Sequence, residues 1–299
     1  MSNALKLKPI IKSYIWGGDY FKPYREGDFD NISESWELSL RKDNNVLVEG
    51  LNKSLSEVIA KDDLGPATKR FPYFPLLIKL IDAKDNLSIQ VHPSDEYALE
   101  KEHSFGKSEM WHIIDADKDA GLYVGLNKDY SKEEIEKKLK DSSILECLNF
   151  YKVKPGDTFL INPGTIHAIG KGVRLIEIQQ NSDLTYRLYD YLRIDKNGKY
   201  RELHIDKALD VIDYHRYISN SVNGDVLADN KYFKVVRKEI NGDYLLKADE
   251  GSFLSFTFIT GEGKVDEISY HKFDTFFLPN GKSCYIKGEG VMIISSVNK

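Results

Sequence analysis

Short β-type runs, separated by Gly, Pro, Asn or Asp, follow one another along most of this chain, and this pattern restricts the fold most strongly. Many short strands with regularly spaced turns favour a β-sandwich or a barrel over a parallel sheet. An extended segment over 8–20 ends in the turn Trp16-Gly17-Gly18. The predicted strands cover 33–39, 76–81, 87–92, 109–115, 121–126, 158–161, 173–179, 184–189, 232–240, 253–259, 275–278, 284–287 and 291–295.

Helical signatures are few. Ser54 with Glu57, and Ser131 with Glu134, have the spacing of a capping box, in which each side chain bonds the other residue's backbone amide. They predict a short helix over 54–60 and a second over 132–140. Apolar spacing predicts a third helix over 205–214, and no helix is predicted after residue 216.

An internal repeat points to two copies of one β unit. The segment 157–169 aligns without a gap to 274–286, and the identical pairs include Thr158/Thr275, Phe159/Phe276, Gly164/Gly281 and Ile169/Ile286. The alternative is chance similarity between two strand-turn-strand segments. His167 of the first copy corresponds to Cys284 of the second, so we expect the first copy to hold the chemistry. The length of 299 residues also suggests two domains, predicted over 1–215 and 216–299.

Composition excludes several classes of protein. The net charge of −5, without a basic stripe, argues against nucleic acid as a partner. No apolar run has the length of a signal peptide or a membrane span, so no membrane partner is expected. The only two cysteines, Cys147 and Cys284, lie far apart without metal-type spacing, which favours a reducing compartment. We therefore expect a cytoplasmic protein.

The predicted strand 87–92 has two distinct faces. Successive side chains of a strand point to opposite sides, so Ser88, Gln90 and His92 share one face, opposite Leu87, Ile89 and Val91. The polar row fits a solvated surface. It also fits a ligand site, because an amide and an imidazole two residues apart can chelate a metal.

A second segment carries a candidate ligand. The run from Gly156 through the Pro163-Gly164 turn to His167 resembles the second motif of cupins, in which a metal-binding His follows a Pro-Gly turn. Asn162 stands where many cupins have another Pro. The first cupin motif is less close, because Gln90-x-His92 replaces His-x-His and the nearest suitable carboxylate is Glu109.

These departures are themselves informative, because four motifs in order resemble the type I mannose-6-phosphate isomerases of the short bacterial form. The likeness extends over roughly 8–215 and includes the Trp16-Gly17-Gly18 segment and the run 33–39. It implies two jelly-roll β-barrels of the cupin type with a few short helices. The four motifs are Gln90-x-His92-Pro93, Gly106-Lys107-Ser108-Glu109, Asn162-Pro163-Gly164-Thr165-Ile166-His167 and the run 179–189 around Arg187.

The resemblance implies that Gln90, His92, Glu109 and His167 ligate one zinc ion per chain. Such a mixed nitrogen and oxygen set suits zinc without excluding manganese, iron or cobalt. Taken alone, each histidine would be read as a satisfied core residue. We keep that interpretation for the remaining five, His103, His112, His204, His215 and His271.

The resemblance also implies residues that bind a phosphosugar. Ser88 and Lys107 match the residues that line the phosphate end of the family's cleft, although Lys107 also fits an exposed turn. Arg187 matches the catalytic arginine. A guanidinium keeps its proton at working pH, so we expect it to stabilise negative charge on the sugar oxygens; a surface ion pair is the alternative.

Two charges interrupt apolar strands. Lys79 lies in the run 76–81 and Glu177 in 173–178. Desolvation there would lower the pKa of a lysine and raise that of a carboxylate, moving both toward acid–base use, although each also fits a snorkelling or salt-bridged structural residue. Both match charged residues of the family's cleft, as do Trp16 and Glu34.

The activity implied is interconversion of D-mannose 6-phosphate and D-fructose 6-phosphate through an enediolate, without an organic cofactor. Two alternatives stay open: a metal-bound cupin that only senses a phosphosugar, and a metal-dependent dioxygenase. A dioxygenase commonly uses two His and one carboxylate on iron, so Gln90 and Arg187 argue against it. The oligomeric state is not predicted.

Overall fold

A computed structural model describes residues 3–194, 198–219 and 224–298 of the chain. The architecture is mainly β with a few short helices, which confirms the predicted fold class. The strands are β1 Leu5–Lys8, β2 Ile10–Lys12, β3 Glu34–Leu38, β4 Leu40–Arg41, β5 Asn44–Asn45, β6 Leu47–Val48, β7 Lys53–Ser54, β8 Leu76–Ala83, β9 Ile89–Val91, β10 Glu109–Ala116, β11 Gly121–Leu126, β12 Leu148–Lys152, β13 Thr158–Ile161, β14 His167–Ile169, β15 Val173–Gln180, β16 Tyr186–Tyr189, β17 Val226–Asp229, β18 Phe233–Lys247, β19 Leu254–Val265, β20 Ile268–Tyr270, β21 Thr275–Leu278 and β22 Ser283–Val297.

The α-helices are α1 Leu55–Val58, α2 Asp95–Glu102, α3 Lys132–Lys140 and α4 Ile205–Val211. The prediction for α3 is confirmed at both ends, and its capping box forms: Glu134 N donates to Ser131 Oγ at 3.2 Å, and Ser131 N to Glu134 Oε2 at 2.7 Å. The predictions over 54–60 and 205–214 were too long, because the backbone is extended at Ile59 and Ile212. Helix α2 was missed, since Ala98 is its only buried residue and it has no apolar stripe.

Most strand predictions are correct to within two residues at each end, but β18 and β19 continue seven and six residues beyond the predicted 232–240 and 253–259. Strand β9 is shorter than the predicted 87–92, and β16 begins at Tyr186 rather than at 184. The predicted strands 284–287 and 291–295 are one continuous strand, β22. Gly288 and Gly290, which lie between the two predicted strands, both pair with residues of β18 and β19 in the sheet.

Three larger sheets form the framework. A five-stranded sheet has the order β12-β11-β14-β9-β16, and a six-stranded sheet the order β13-β10-β15-β8-β3-β2. A nine-stranded sheet combines β17 to β22 with β1, β6 and β7 from the N-terminal part of the chain. The predicted domain boundary at residue 215 remains a proposal. Strand β1 precedes that boundary in sequence but lies between β21 and β6 in the nine-stranded sheet.

The six-stranded sheet is the middle layer, and its two faces bury different residues. Ile78 and Leu80 of β8 lie in a core shared with Phe277 and Ile293 of the nine-stranded sheet. Ile81 of the same strand lies in a second core, shared with residues of the five-stranded sheet. Alternation along β8 therefore places Lys79 on the face toward the five-stranded sheet.

The sequence repeat has matching backbone hydrogen bonds. In the first copy Ile113 N donates to Asp157 O at 2.9 Å, and in the second Phe258 N donates to Asp274 O at 3.0 Å. Both aspartates also accept a bond from the backbone amide three residues earlier, at 2.9 Å for Asp157 and 2.8 Å for Asp274. This shared pattern favours two copies of one β unit over chance similarity.

The second copy is apolar where the first carries its candidate ligands. His167 lies opposite Gln90 in the ladder, whereas the corresponding Cys284 lies opposite Leu246. Both residues of the second pair belong to a hydrophobic core, and Cys284 is a free, buried thiol. Burial raises the pKa of that thiol to about 12, so it stays protonated and is a poor metal ligand.

No helix in the described parts of the chain is long and apolar enough to cross a membrane.

A buried ion pair joins the N-terminal segment to the C-terminal sheet. Arg25 Nη2 lies 2.6 Å from Glu37 Oε1 and also donates to the Phe273 carbonyl at 3.2 Å. Glu37 Oε2 accepts from the Thr275 hydroxyl at 2.9 Å. The Glu37 side chain is only 1% exposed, so its charge depends on these partners.

We expect Arg25→Met to lower the free energy of unfolding by about 3–5 kcal/mol, because it leaves the Glu37 carboxylate buried without its cation. Urea unfolding followed by tryptophan fluorescence measures the change. Lys152→Met is the matched control: its partner Asp119 is 60% exposed, so the expected loss is below about 1 kcal/mol. Equal losses in the two variants would show that the buried pair has no special role.

Candidate active site

A cavity of about 530 Å³ lies between the five-stranded and six-stranded sheets. The six-stranded sheet contributes Lys79 and Glu177, and the five-stranded sheet contributes Gln90 and Arg187. All seven residues predicted for catalysis or substrate binding line it, together with Gln90: Trp16, Glu34, Lys79, Ser88, Lys107, Glu177 and Arg187.

Two histidines and a carboxylate lie close together next to the cavity. His92 Nε2 lies 3.6 Å from Glu109 Oε2, and His167 Nε2 lies 3.3 Å from Glu109 Oε1. One ligand atom from each residue lies within 4.8 Å of the others, and all three side chains are buried. His92 Nε2 and Glu109 Oε1 have no hydrogen-bond partner among the described residues. Buried polar atoms left open in this way fit a bound divalent cation.

Other contacts fix the orientation of both imidazoles. His92 Nδ1 lies 2.8 Å from the Leu184 carbonyl, and His167 Nδ1 lies 2.9 Å from the Thr165 carbonyl. A carbonyl accepts a hydrogen bond, so each Nδ1 carries the proton and each Nε2 presents its lone pair toward Glu109. This tautomer is the one that a metal ligand requires.

Gln90 completes the set from the neighbouring strand. It lies opposite His167 in the ladder, and its amide nitrogen is 3.2 Å from His167 Nε2. The oxygen and nitrogen of a carboxamide are assigned from their surroundings, so rotating the group by half a turn brings its oxygen to the same point. The structure thus brings together all four residues predicted as ligands.

Burial controls the charge of the ligands. It lowers the pKa of His167 to about 4 and that of His92 well below its usual value, so both imidazoles are neutral. Burial also raises the pKa of Glu109 to about 7, although the Lys107 ammonium opposes this shift. Neutral imidazoles and an ionised carboxylate are the forms that bind a metal.

Lys107 is not an exposed turn lysine. It is buried, and its Nζ lies 2.7 Å from Glu109 Oε2. The ammonium therefore lies beside the candidate metal ligands while facing the cavity.

Lys79 and Glu177 form a buried ion pair, which corrects the pKa shifts expected from sequence. Lys79 Nζ lies 3.1 Å from Glu177 Oε1 and 3.7 Å from Glu34 Oε2. Burial alone would lower the pKa of Lys79, but the two carboxylates outweigh it and raise that pKa. Burial alone would raise the pKa of Glu177, but Lys79, Lys107 and the Trp111 indole together outweigh it and lower that pKa to about 2. Both shifts are opposite to those expected from desolvation, and the contact fits the alternative of salt-bridged residues.

Arg187 is held at the opposite wall. Its Nε donates to Ser88 Oγ at 3.2 Å and its Nη1 to the Glu202 carbonyl at 2.8 Å. The guanidinium thus has two fixed contacts, and neither of them is a carboxylate. An arginine held in this way leaves its charge available to a bound anion.

An aromatic wall closes one side of the cavity. Trp16 is buried and stacks on Tyr14 at a centroid distance of 5.5 Å. Glu34 accepts a hydrogen bond from the Trp36 indole at 2.7 Å.

Several lining residues were not predicted from sequence, among them Arg201, His204 and Lys207. Lys207 Nζ lies 2.8 Å from Glu102, which joins α4 to α2. Arg201 donates from Nε to Asp190 Oδ2 at 2.6 Å. These residues precede or begin α4, where no strand alternation marked one face as facing a cavity.

The five remaining histidines do not share one environment. His112 is the satisfied core residue that was expected, with Nδ1 2.8 Å from the Thr158 hydroxyl. His204 lines the cavity, and His215 and His271 are exposed, so the core interpretation was wrong for these three. His103 is also exposed, so the core interpretation was wrong for it as well; it ends α2 in the left-handed conformation, with φ of 50°.

Comparisons with known proteins agree with this geometry. The family model for the phosphomannose isomerase type I catalytic domain matches residues 4–128. Mannose-6-phosphate isomerase ManA of Bacillus subtilis is 37% identical over 94% of each chain, and mannose-6-phosphate isomerase of Streptococcus mutans is 33% identical over the full length of both. The crystal structure of mannose 6-phosphate isomerase from Bacillus subtilis superposes with a TM-score of 0.88 at 33% identity, covering 99% of each chain.

We expect the affinity of the metal-free protein for zinc or cobalt to fall as the pH drops below about 7, because protons then compete for the Glu109 carboxylate. The fall should approach tenfold per pH unit and level off above pH 7. The imidazoles add no competition in this range, since the pKa of His167 is about 4. Titration against a chelator of known affinity between pH 5.5 and 8.5 measures this. A constant affinity from pH 5.5 to 7 would contradict the raised pKa of Glu109.

Proposed function

The chain belongs to the type I phosphomannose isomerase family, and on that premise we propose that it interconverts D-mannose 6-phosphate and D-fructose 6-phosphate in the cavity between the two sheets. The observation that carries the proposal is the convergence of Gln90, His92, Glu109 and His167 under a cavity lined by Arg187 and Lys107. An amide, a carboxylate and two neutral imidazoles fit a divalent cation such as zinc, one per chain.

Aldose–ketose isomerisation moves a proton between C2 and C1 of the open-chain sugar while O1 and O2 exchange carbonyl and hydroxyl character. It therefore requires stabilisation of two oxygens, a proton acceptor with a donor, and a grip on the phosphate. A bound divalent cation would supply positive charge close to the sugar oxygens. The remaining requirements fall to side chains of this chain.

Arg187 would stabilise the negative charge that develops on the oxygens of the enediolate. Its contacts to Ser88 and to the Glu202 carbonyl orient the guanidinium before substrate arrives. A preorganised cation in a partly dry site stabilises developing charge more effectively than solvent does. Since the side chain keeps its proton, this role is electrostatic.

The Lys79–Glu177 pair would move the proton. Lys79 has a raised pKa and Glu177 a lowered one, so both are charged near neutral pH. In these forms only Glu177 can accept a proton and only Lys79 can donate one. After Glu177 accepts a proton from one carbon and Lys79 donates one to the other, the 3.1 Å contact would allow the proton to pass from Glu177 to Lys79, which restores both charges.

Ser88 and Lys107 would hold the phosphate, and Trp16 with Glu34 would contact the sugar. Ser88 Oγ is already bonded to Arg187, so the groups for phosphate and for the enediolate are adjacent. The buried Lys107 ammonium supplies a fixed positive charge at the cavity. A phosphomonoester dianion is the kind of ligand that such an arrangement attracts.

The direct test is formation of fructose 6-phosphate from mannose 6-phosphate by the purified protein, before and after chelation, with metal analysis of the same sample. We expect turnover that is lost on chelation and returns with zinc, because the proposed ligands bind a divalent cation. A phosphosugar sensor would bind mannose 6-phosphate without forming product. That outcome would contradict the proposal even if the metal were present.

We expect Arg187→Ala to reduce kcat by about 10²–10³-fold while metal content stays unchanged, because Arg187 is not among the proposed ligands. Arg187→Lys is the matched control, since it keeps the charge but cannot make both present contacts; we expect an intermediate kcat. Steady-state kinetics with metal analysis of each variant decide the result. Full activity in the alanine variant would exclude the proposed role.

A further inference from the structure

The backbone around Lys107 is held by contacts outside the cavity. Lys107 lies in the connection between α2 and β10, and its amide donates to the Pro93 carbonyl at 3.1 Å. Its neighbour Gly106 packs so closely that an added Cβ would lie 2.4 Å from the Ser94 carbonyl carbon and 2.5 Å from Asp95 N. The connection therefore rests directly on the N-terminal end of α2.

Asp95 and Gln180 tie both neighbours of Lys107 to the framework. Asp95 Oδ1 accepts from Gly106 N at 3.0 Å and from Gln180 Nε2 at 3.0 Å. The Gln180 side-chain oxygen accepts from Ser108 N at 2.8 Å, and Gln180 N donates to the Ser108 carbonyl at 3.0 Å. Gln180 is buried at the end of β15, so the connection is attached to the middle sheet.

The third member of this cluster comes from the C-terminal part of the chain. Tyr232, which immediately precedes β18, donates its hydroxyl to Asp95 Oδ2 at 2.6 Å. Burial and the adjacent Asp95 carboxylate raise the pKa of Tyr232, so the hydroxyl stays protonated and is the donor. Lys231 Nζ lies 3.7 Å from the same oxygen.

We propose that Tyr232, acting through Asp95 and Gln180, is a positioning residue that holds Lys107 in place for the substrate phosphate. Among the described residues that line the cavity, none is Tyr232, Asp95 or Gln180, so the influence of these three residues is indirect. The phosphate-binding role of Lys107 rests on the proposed function. The hydrogen bonds that hold its backbone are independent of that function.

The consequence for catalysis follows from the close fit around Lys107. Lys107 Nζ lies 2.7 Å from Glu109 Oε2. A shift of the connection would therefore change the position of the ammonium group relative to a bound phosphate. Misplacing a substrate-binding group by about 1 Å can reduce the rate by about a hundredfold. The candidate ligands Gln90, His92 and His167 lie on or next to strands of the other sheet, and Glu109 is held in β10 by pairing with Ile161 and Gln179, so metal content should not change.

The test is Tyr232→Phe, which removes the hydroxyl and keeps the ring in the core. We expect KM for mannose 6-phosphate to rise about tenfold, with a smaller change in kcat and unchanged metal content. We also expect faster hydrogen exchange at the amides of Gly106, Lys107 and Ser108. Tyr97→Phe is the matched control: it removes another hydroxyl–carboxylate bond near α2, 3.4 Å to Asp210 Oδ2, away from the connection.

A double variant separates positioning from general destabilisation. If Tyr232 acts through Lys107, adding Tyr232→Phe to Lys107→Met should raise KM no further. An additional rise in the double variant, or an unchanged KM and unchanged exchange in Tyr232→Phe, would overturn the proposal. If the wild-type protein forms no fructose 6-phosphate, the proposed function fails. The exchange rates still decide whether Tyr232 holds the connection.

Discussion

A buried carboxylate is the constraint around which the site is organised. Glu109 has no solvent exposure, and a buried charge is stable only with partners that compensate it. Those partners come from three separate parts of the chain: His92 next to β9, His167 in β14, and Lys107 before β10. The five-stranded and six-stranded sheets must pack in one relative position for these groups to meet.

The charges at the cavity nearly balance. Three carboxylates, Glu34, Glu109 and Glu177, face the ammonium groups of Lys79 and Lys107 and the guanidinium of Arg187. A divalent cation held by Glu109 and the two histidines would make this cluster net positive. Binding of a cation and attraction of an anionic ligand would then be electrostatically coupled.

Side chains alternate between the two faces of the six-stranded sheet, so one face packs in a hydrophobic core and the other lines the cavity. On β8 and β15, Ile78 and Ile176 pack toward the nine-stranded sheet, while Lys79 and Glu177 point into the cavity. Neighbouring strands place this lysine and this glutamate in register. A charged side chain can occupy a strand flanked by two cores because its direct neighbour carries the opposite charge.

Sequence patterns could predict features that depend on local spacing. The capping box predicted the start of α3, and the motifs predicted four groups that the structure brings together. Long-range pairing could not be predicted in the same way. The partner that reverses the pKa shift of Lys79 lies 98 positions away, and helix α2 has no apolar stripe because only Ala98 is buried.

For the same reason, Arg201, His204 and Lys207 were missed as cavity residues. They approach the cavity from a segment without regular alternation, so no face could be assigned to them. Their position depends on tertiary contacts such as that of Lys207 with Glu102.

The placement of β1 has a consequence for the order of events during synthesis. Leu5–Lys8 is translated about 270 residues before Thr275–Leu278, with which it pairs. Until that segment emerges, β1 can pair on one side with Leu47–Val48 of β6, but its other edge stays open. Its sequence LKLK, with two lysines among four residues, suits an edge that must stay free of intermolecular pairing during that interval.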